Sequence, residues 1–421
     1  VPFPPNKGEK LRTYHQLERL KQLGHSLSLI SPSSGPEDEE FAAALALDLG
    51  ITVNTAKLEY KPLRFAKALA TNRSLSEANF YSSRVKQLIE NETRSFEPDF
   101  LFLTASSLVR YIDSIANKHS SPAVLTDFMD VDSNKWQQYQ HKAHFPMNLV
   151  YKREAKLVKK LEIEAAKLSK ECYLIASAEL KLFKKEVTHL GNITILPNGI
   201  DDSIFKPNID ITRPQHPTLL FTGVMDYKPN IDAVLWFIAN CWSQIKDQYP
   251  NAKLVIAGMN PSANIQKLGT SDDIIVTGFV EDIMPYFQSA CIFIAPFQIA
   301  RGVQNKVLQA MLCELPVVTT LKGIEGIIHC AGKDVLLANT AEQYTKHCLN
   351  LLESIELRES IGKAARQTIL ANYAWPEVLK PLLIKLKKAH EIHTQRDPIY
   401  TVCAVSLTFY AHLFFNLISN Q

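Results

Sequence analysis

This chain of 421 residues lacks an excess of charge of either sign. Its 46 Lys and Arg stand against 43 Asp and Glu, a formal net charge of +3. That balance argues against a nucleic-acid binder held by a broad basic field. Paired cysteines are missing as well. Cys172, Cys241, Cys291, Cys313, Cys330, Cys348 and Cys403 are odd in number and scattered, and none falls in CxxC or zinc-finger spacing. A disulfide framework and a zinc site are thereby disfavoured, and a reducing cytoplasm fits best. No GxGxxG follows any strand-like run, which excludes a dinucleotide-dependent dehydrogenase at the motif level. No secretory leader opens the chain. The segment before the first strand pattern is odd in another way: Val1 to Gly8 reads as a loop, and the amphipathic run Glu9–Leu23 feeds the strand Ser26–Ser31. A helix feeding a strand is the second half of a βαβ unit, so its first strand is absent and a natural start further upstream is expected.

What is present is an α/β pattern repeated twice. The length implies two domains, and 46% hydrophobic with 21% charged residues is an ordinary soluble globular composition. Helical periods at Leu11, Tyr14, Leu17 and Leu20 alternate with short apolar runs such as Asp99–Leu103 and Ala123–Thr126, the kind that parallel sheets bury on both faces. Helices are expected over Phe41–Leu49 and Leu75–Glu92. Tyr151–Lys170 reads as a long helix with six lysines and one arginine, whose basic face is either solvated or laid on anionic lipid. Pro197-Asn-Gly-Ile-Asp201 signals a tight turn with positive φ at Asn-Gly. The proline-rich stretch 206–217 reads as a linker between domains 1–205 and 218–375. In the second domain Gly223, Gly258 and Gly278 each end a strand, which brings backbone close to a ligand at the carboxyl edge of a sheet. A last helix, 376–390, precedes the hydrophobic tail 391–421. That tail is read as a membrane span, a docking helix or a spurious extension. The expected fold is two Rossmann-like doubly wound domains facing a cleft.

The stretch Ala295–Gly326 carries the densest chemistry. A strand ends near Pro296, a polar loop holds Arg301 and Gly302, and a helix begins with Lys306 in its first turn. The strand Pro316–Thr320 then runs into Gly323 and Gly326. A loop entering a helix after a parallel strand offers free N–H groups and the positive end of a helix dipole, a means of holding a diphosphate. A surface loop with two solvated cations is the plainer reading of the same residues.

Six segments together resemble one family: PFPPNKGEKLR (2–12), LTDFMDVDSNKWQQY (125–139), FPMNLVYKREAKL (145–157), LPNGID (196–201), FTGVMDYKPNIDAVLWF (221–237) and IARGVQNKVLQAM (299–311). Residues 1 to about 388 look like a family 4 retaining glycosyltransferase of the GT-B fold, and more narrowly like the sugar transferases associated with PEP-CTERM/exosortase systems. The resemblance implies a nucleoside diphosphate sugar as donor, a polysaccharide or lipid-linked acceptor, and no metal or other cofactor. It places the donor on the second domain, the acceptor on the first, and the enzyme in the cytoplasm, peripheral to the inner face of the membrane. Catalytic roles fall to Asp130, Asp127, Lys306 and Arg301. Donor contacts fall to Gly223, Lys228, Gly278, Val280, Gly302, Gln304, Lys306, Gln309, Gly323, Glu325 and Gly326. Asn6, Lys7, Gly8 and Arg12 form a first-domain loop facing the same cleft. Asp127, Asp130 and Asp132 equally suit an Asp-rich helix cap. Two departures stand out. Many relatives carry two glutamates where this chain has Arg301 and Gln309, and losing the ribose-binding carboxylate is expected to weaken the donor by about 1–2 kcal/mol. The arginine usual after the Gly223 strand is Val224-Met225 here. A degenerate GT-B binding partner is the competing reading; an epimerase or phosphorylase finds no clear support.

Overall fold

Apolar runs too short for helices and without polar alternation dictate strands buried on both faces. The computed structural model describes residues 1–5, 8–113, 115, 121–186, 192–207, 217–300, 303–390 and 399–406. They fall into two units, Gly199–Glu377 and the remainder, each with its own all-parallel sheet.

Unit 1 runs α1 (Gly8–Gln22), β1 (Ser26–Ser33), α2 (Pro36–Leu49), β2 (Thr52–Lys57), α3 (Lys61–Ala70), α4 (Leu75–Ala78), α5 (Ser83–Phe96), β3 (Phe100–Leu103), β4 (Ala123–Met129), α6 (Asp132–Lys142), α7 (Met147–Leu168), β5 (Glu171–Leu174), α8 (Ser177–Glu186) and β6 (Asn192–Ile195). Unit 2 runs β7 (Thr218–Thr222), α9 (Lys228–Phe237), α10 (Ser243–Gln248), β8 (Lys253–Ala257), α11 (Ala263–Leu268), β9 (Ile274–Gly278), α12 (Met284–Ser289), β10 (Ile292–Ala295), α13 (Asn305–Leu312), β11 (Val317–Thr319), β12 (Leu336–Leu337), α14 (Ala341–Glu353) and α15 (Ile355–Tyr373). The chain then passes through α16 (Trp375–Val378) back to unit 1 with α17 (Lys380–His390) and β13 (Thr401–Val405).

The strand order of unit 1 is β2-β1-β13-β3-β4-β5-β6. The strand expected to be absent is therefore supplied by the other end of the sequence. Thr401–Val405 pairs in parallel with Ser26–Ile30 on one side, and Val402–Val405 with Phe100–Leu103 on the other. Val402, Cys403, Ala404 and Val405 are all buried. This corrects the reading of the tail: its described part is a central strand of the sheet, while 391–398 and 407–421 lie outside the described residues. Polar and aromatic contacts fix the register. Thr401 donates through both its N–H and its hydroxyl to Asp99 Oδ2, each at 2.8 Å. Tyr400 stacks on His25 with ring centroids 5.2 Å apart, and its N–H donates to His25 Nδ1 at 3.1 Å. Burial depresses the His25 pKa, keeping that nitrogen available as an acceptor.

Elsewhere the structure redraws boundaries. The single helix expected over Leu75–Glu92 is two, because the Ser82 hydroxyl accepts from the Arg84 N–H and starts a new helix at Ser83. Gly199 has no positive φ; glycine is needed there because a Cβ would sit 2.4 Å from the Trp375 ring.

Arg12 does not belong to a loop. It lies on α1, fully buried, with Nε 2.6 Å from Asp127 Oδ2 and Nη2 3.0 Å from Oδ1. Its Nη1 donates to the Pro197 carbonyl at 3.1 Å and to Asn198 Oδ1 at 3.0 Å. Asp127 also accepts from Gln16 Nε2 at 2.7 Å and from the Met129 N–H at 3.2 Å. A planar guanidinium matched to a carboxylate in this two-point way locks α1 to the end of β4 and to the exit of β6.

Two stability predictions follow from these arrangements. Cys403→Asp places a carboxylate in the dry centre of the unit 1 sheet, and calorimetry should show the unit 1 melting transition lost while that of unit 2 persists. Arg12→Ala leaves Asp127 buried and unpaired, so denaturant titration should show a loss of about 3–5 kcal/mol, with the double variant Arg12→Met/Asp127→Leu losing less.

Candidate active site

The strand order of unit 2, β12-β11-β10-β7-β8-β9, reverses direction between β7 and β10. In an open parallel sheet the crevice outside the carboxyl ends at such a reversal is where ligands bind. The segments leaving those two strands are Gly223–Tyr227 and the stretch running from Pro296 into α13.

Lys306, second residue of α13, reaches this point. Its ammonium donates to Asn230 Oδ1 at 2.8 Å and lies 5.0 and 5.2 Å from the ring centroids of Phe221 and Phe297. Asn230 is held in turn by its own donation to the Val224 carbonyl at 2.8 Å. Lys306 makes no ion pair among the described residues. Burial pushes its pKa down to about 8, since two aromatic faces and one amide oxygen replace water only in part. The site needs glycine. A Cβ on Gly223 would meet the Lys306 ammonium at 2.5 Å, and one on Gly258 would meet the Gly223 carbonyl oxygen at 1.8 Å. The start of α13 has no side-chain cap, and a helix start leaves N–H groups without partners inside the helix. Gln304 occupies the N-cap position, its carbonyl accepting from the Val307 N–H at 2.9 Å, and Gln309 is half-buried one turn on.

The other second-domain residues sort by geometry. Gly278 closes β9 at φ +67 and its carbonyl accepts from the Gly258 N–H at 3.2 Å; Val280 follows, half-buried. Gly323 lies where a Cβ would press the Thr319 hydroxyl at 2.2 Å, and its N–H donates to Thr320 Oγ1 at 3.1 Å. Gly326 turns at φ +81, and Glu325 between them is exposed, 3.9 Å from Lys322. Lys228 is 83% exposed and pairs with Asp232 at 3.0 Å, the behaviour of a solvated helix-start lysine. Arg301 and Gly302, like Asn6 and Lys7, lie outside the described residues. Gly8 begins α1. Asn230 was missed in the sequence, although the Lys-Pro-Asn turn after a glycine-ended strand was its signal.

In unit 1 the acidic trio divides. Asp127 has both oxygens occupied by α1 and the Met129 N–H, so a direct catalytic role for it is corrected to a structural one. Asp130 opens instead into a cavity of about 300 Å³ beside the carboxyl ends of β3 and β4. The strand end is irregular there, with a register shift between Asp127 and Met129 and Met129 at φ +60. Such a bulge re-aims the next side chain. Asp130 and Asp132 both pair with Lys135, at 2.9 and 3.1 Å. Facing them are Trp136, Tyr139 and Tyr151, whose ring centroids lie 5.6 to 6.0 Å apart.

Comparison with known proteins agrees with this geometry. Residues 216–354 match the family model described as glycosyl transferases group 1. An uncharacterised 44.6 kDa protein in the cps region of Klebsiella pneumoniae is 22% identical over 397 residues, 88% of this chain and 94% of that protein. Alpha-monoglucosyldiacylglycerol synthase of Acholeplasma laidlawii is 23% identical over 60% of this chain and 66% of its own length. Among solved structures, Anabaena HepE in complex with UDP superposes with a TM-score of 0.53 at 12% identity, over 86% of this chain and 100% of its own. Sucrose-phosphate synthase from Thermosynechococcus elongatus gives 0.52 at 14% identity, over 88% and 100%. With a glycosyl transferase group 1 domain in its second unit and two parallel α/β units in the GT-B fold, the chain is a glycosyltransferase.

Proposed function

We propose that the protein moves a sugar from a nucleoside diphosphate donor, held by unit 2, to an exopolysaccharide or lipid-linked glycan acceptor, with retention at the anomeric carbon and without a metal. This is the chemistry of the family 4 and PEP-CTERM/exosortase-associated enzymes its motifs resemble. The observation that carries the reading is the Lys306 ammonium, partly buried at the reversal point of a parallel sheet with no carboxylate partner among the described residues. A buried charge without a counter-ion is costly until an anion arrives. The departing nucleoside diphosphate brings that anion, and charge grows on its β-phosphate as the glycosidic bond breaks. A preplaced ammonium and helix-start amides stabilise the growing charge without reorganising. Arg301 and the Gly302 backbone, next in sequence, would share that role. HepE structures hold UDP-glucose, which supports a nucleotide sugar as donor.

Asp130 and the aromatic cavity are the proposed acceptor side. Pyranose C–H faces lie well against aromatic rings, and carboxylates accept from sugar hydroxyls. The cps-region relative supports a glycan acceptor, and the diacylglycerol-modifying relative a lipid-borne one. A peripheral position at the cytoplasmic membrane face suits either, and the exposed Lys152, Lys156, Lys160 and Lys167 on α7 suit an anionic lipid surface. Among the described residues no helix is long and apolar enough to cross a membrane.

Calorimetric titration with UDP-, GDP- and ADP-sugars tests the donor site. One donor should bind, Lys306→Ala should weaken it by about 2–3 kcal/mol, and Gln309→Glu should tighten it by about 1–2 kcal/mol. Because the free lysine titrates at about 8 and a bound diphosphate favours its charged form, affinity should be full below pH 8 and fall as pH rises above it. Binding near pH 8–9 should accordingly take up a proton, readable from buffers of different ionisation enthalpy. If no nucleotide binds either the native chain or Gln309→Glu, the degenerate-partner reading replaces the transferase. For the acceptor side, Trp136→Ala should raise the acceptor KM about tenfold or more while donor affinity stays unchanged.

A further inference from the structure

The chain from Asp127 to Ser133 is held at every second residue. Asp127 is locked by Arg12. The Met129 carbonyl accepts from the Ile175 N–H at 2.7 Å. The Val131 N–H donates to Glu179 Oε2 of α8 at 2.8 Å. Ser133 donates twice to Glu162 of α7, its N–H to Oε1 at 2.9 Å and its hydroxyl to Oε2 at 2.6 Å. Asp130 and Asp132, which fall between the last three of these anchors, meet Lys135 instead.

The two glutamates do what α6 cannot do for itself. Val131 stands at its N-cap and supplies no side-chain cap, so the first-turn N–H groups find partners outside the helix. Glu162 serves the N–H of Ser133, one of those that an N-cap oxygen ordinarily reaches, and its negative charge suits a helix start. Glu162 is 3% exposed and pairs with no cation among the described residues. An apolar side chain of similar volume would fill that space at little cost or with a gain in stability, so stability alone does not call for a carboxylate there. What the carboxylate adds is direction. Two bonds to one residue fix the angle at which α6 leaves the end of β4. Trp136 and Tyr139 follow about one and two turns along α6, and both line the cavity with Asp130.

We propose that Glu162 and Glu179 are positioning residues of the acceptor side, holding segment 129–133 so that Asp130 and the Trp136–Tyr139 face of α6 keep one geometry around the acceptor. Neither glutamate lines the cavity itself. The inference rests on the acceptor-side reading given above, but the holding is measured without any transfer. Burial lifts the Glu162 carboxyl to about 7, so measurements at pH 8 keep it charged.

The first measurement uses no substrate. Emission from Trp136 is taken as the difference between each chain and its Trp136→Phe counterpart. Its quenching by acrylamide should rise about twofold in Glu162→Ala and in Glu179→Ala. Glu162→Gln and Glu179→Gln keep an acceptor oxygen and should stay near the native value. Glu179 is half-buried, so Glu179→Ala carries the test where Glu162→Ala fails to fold. Glu164→Ala removes another acid of α7, one that pairs with Arg110, and should leave Trp136 as it is. The second measurement uses octyl β-glucoside as acceptor, with the donor that calorimetry selects. The alanine variants should raise its KM about tenfold, with kcat and donor affinity near native. Glutamates that only stabilised the fold would lower kcat through the active fraction and leave KM alone. Unchanged quenching in both alanine variants would overturn the proposal, as would an octyl glucoside KM that neither variant shifts. If the native chain transfers to no acceptor while the Trp136 response holds, the acceptor reading falls and the positioning of Asp130 and α6 stands.

Discussion

A single partly buried ammonium sets the terms for the whole carboxyl edge of unit 2. Partly withdrawn from water, Lys306 is met by weak partners, two phenylalanine faces and one asparagine oxygen, in space that the absence of a Gly223 side chain leaves open. Each of those partners is fixed by something further off. Asn230 is steered by the Val224 carbonyl. Phe297 is pinned by the Thr320 hydroxyl, which donates to its carbonyl at 2.5 Å. Gly223 and Gly258 have to stand without side chains so that β7 and β8 can close beneath the lysine. A carboxylate in this place would have neutralised the charge. An apolar residue would have removed it altogether.

Unit 1 solves the opposite problem. There a charged pair is fully matched, and the matching makes it structural. Arg12 reaches from a helix near one end of the chain to a strand end and a connecting segment that are distant in sequence. The next two residues after Asp127 then have to turn sharply, and Met129 takes up a left-handed φ that an L-residue adopts only when its surroundings hold it. The outcome is a division of labour among neighbouring aspartates: one holds the frame, and Asp130 is delivered into the cavity.

Much of unit 2 was legible because its signals are local. LLFT, KLVIA and IFIA each read as buried strands, each is followed within a few residues by glycine or proline, and a lysine in the next helix's first turn needs no long-range knowledge. What escaped depends on partners far apart in sequence. Arg12 sits on a helix whose apolar period is ordinary, and nothing local distinguishes a buried arginine from a solvated one. The partner of Lys306, Asn230, is 76 residues away. The apolar residues of α3 fall at helical spacing, yet Leu63 and Leu69 are exposed; spacing says which residues share a face, not whether anything covers that face. The tail misled for a related reason. A run of uncharged residues fits a membrane span and a central strand alike, and only the open slot between β1 and β3 decides between them.

The position of β13 has a consequence for the order in which the chain acquires its structure. Its partners in the sheet lie about 300 and 375 residues earlier, so the contacts that join the two halves of the unit 1 sheet rank among the most distant in sequence that the molecule makes. Unit 2 is contiguous and lies between them, free to condense as its own strands emerge from the ribosome. Until residues 401–405 arrive, unit 1 is two half-sheets, each ending in a strand with an unsatisfied row of backbone donors and acceptors. The nascent protein therefore passes through a stage in which unit 2 can be complete while unit 1 carries two sticky borders. Any extended segment able to pair with those borders competes for the place that β13 finally takes.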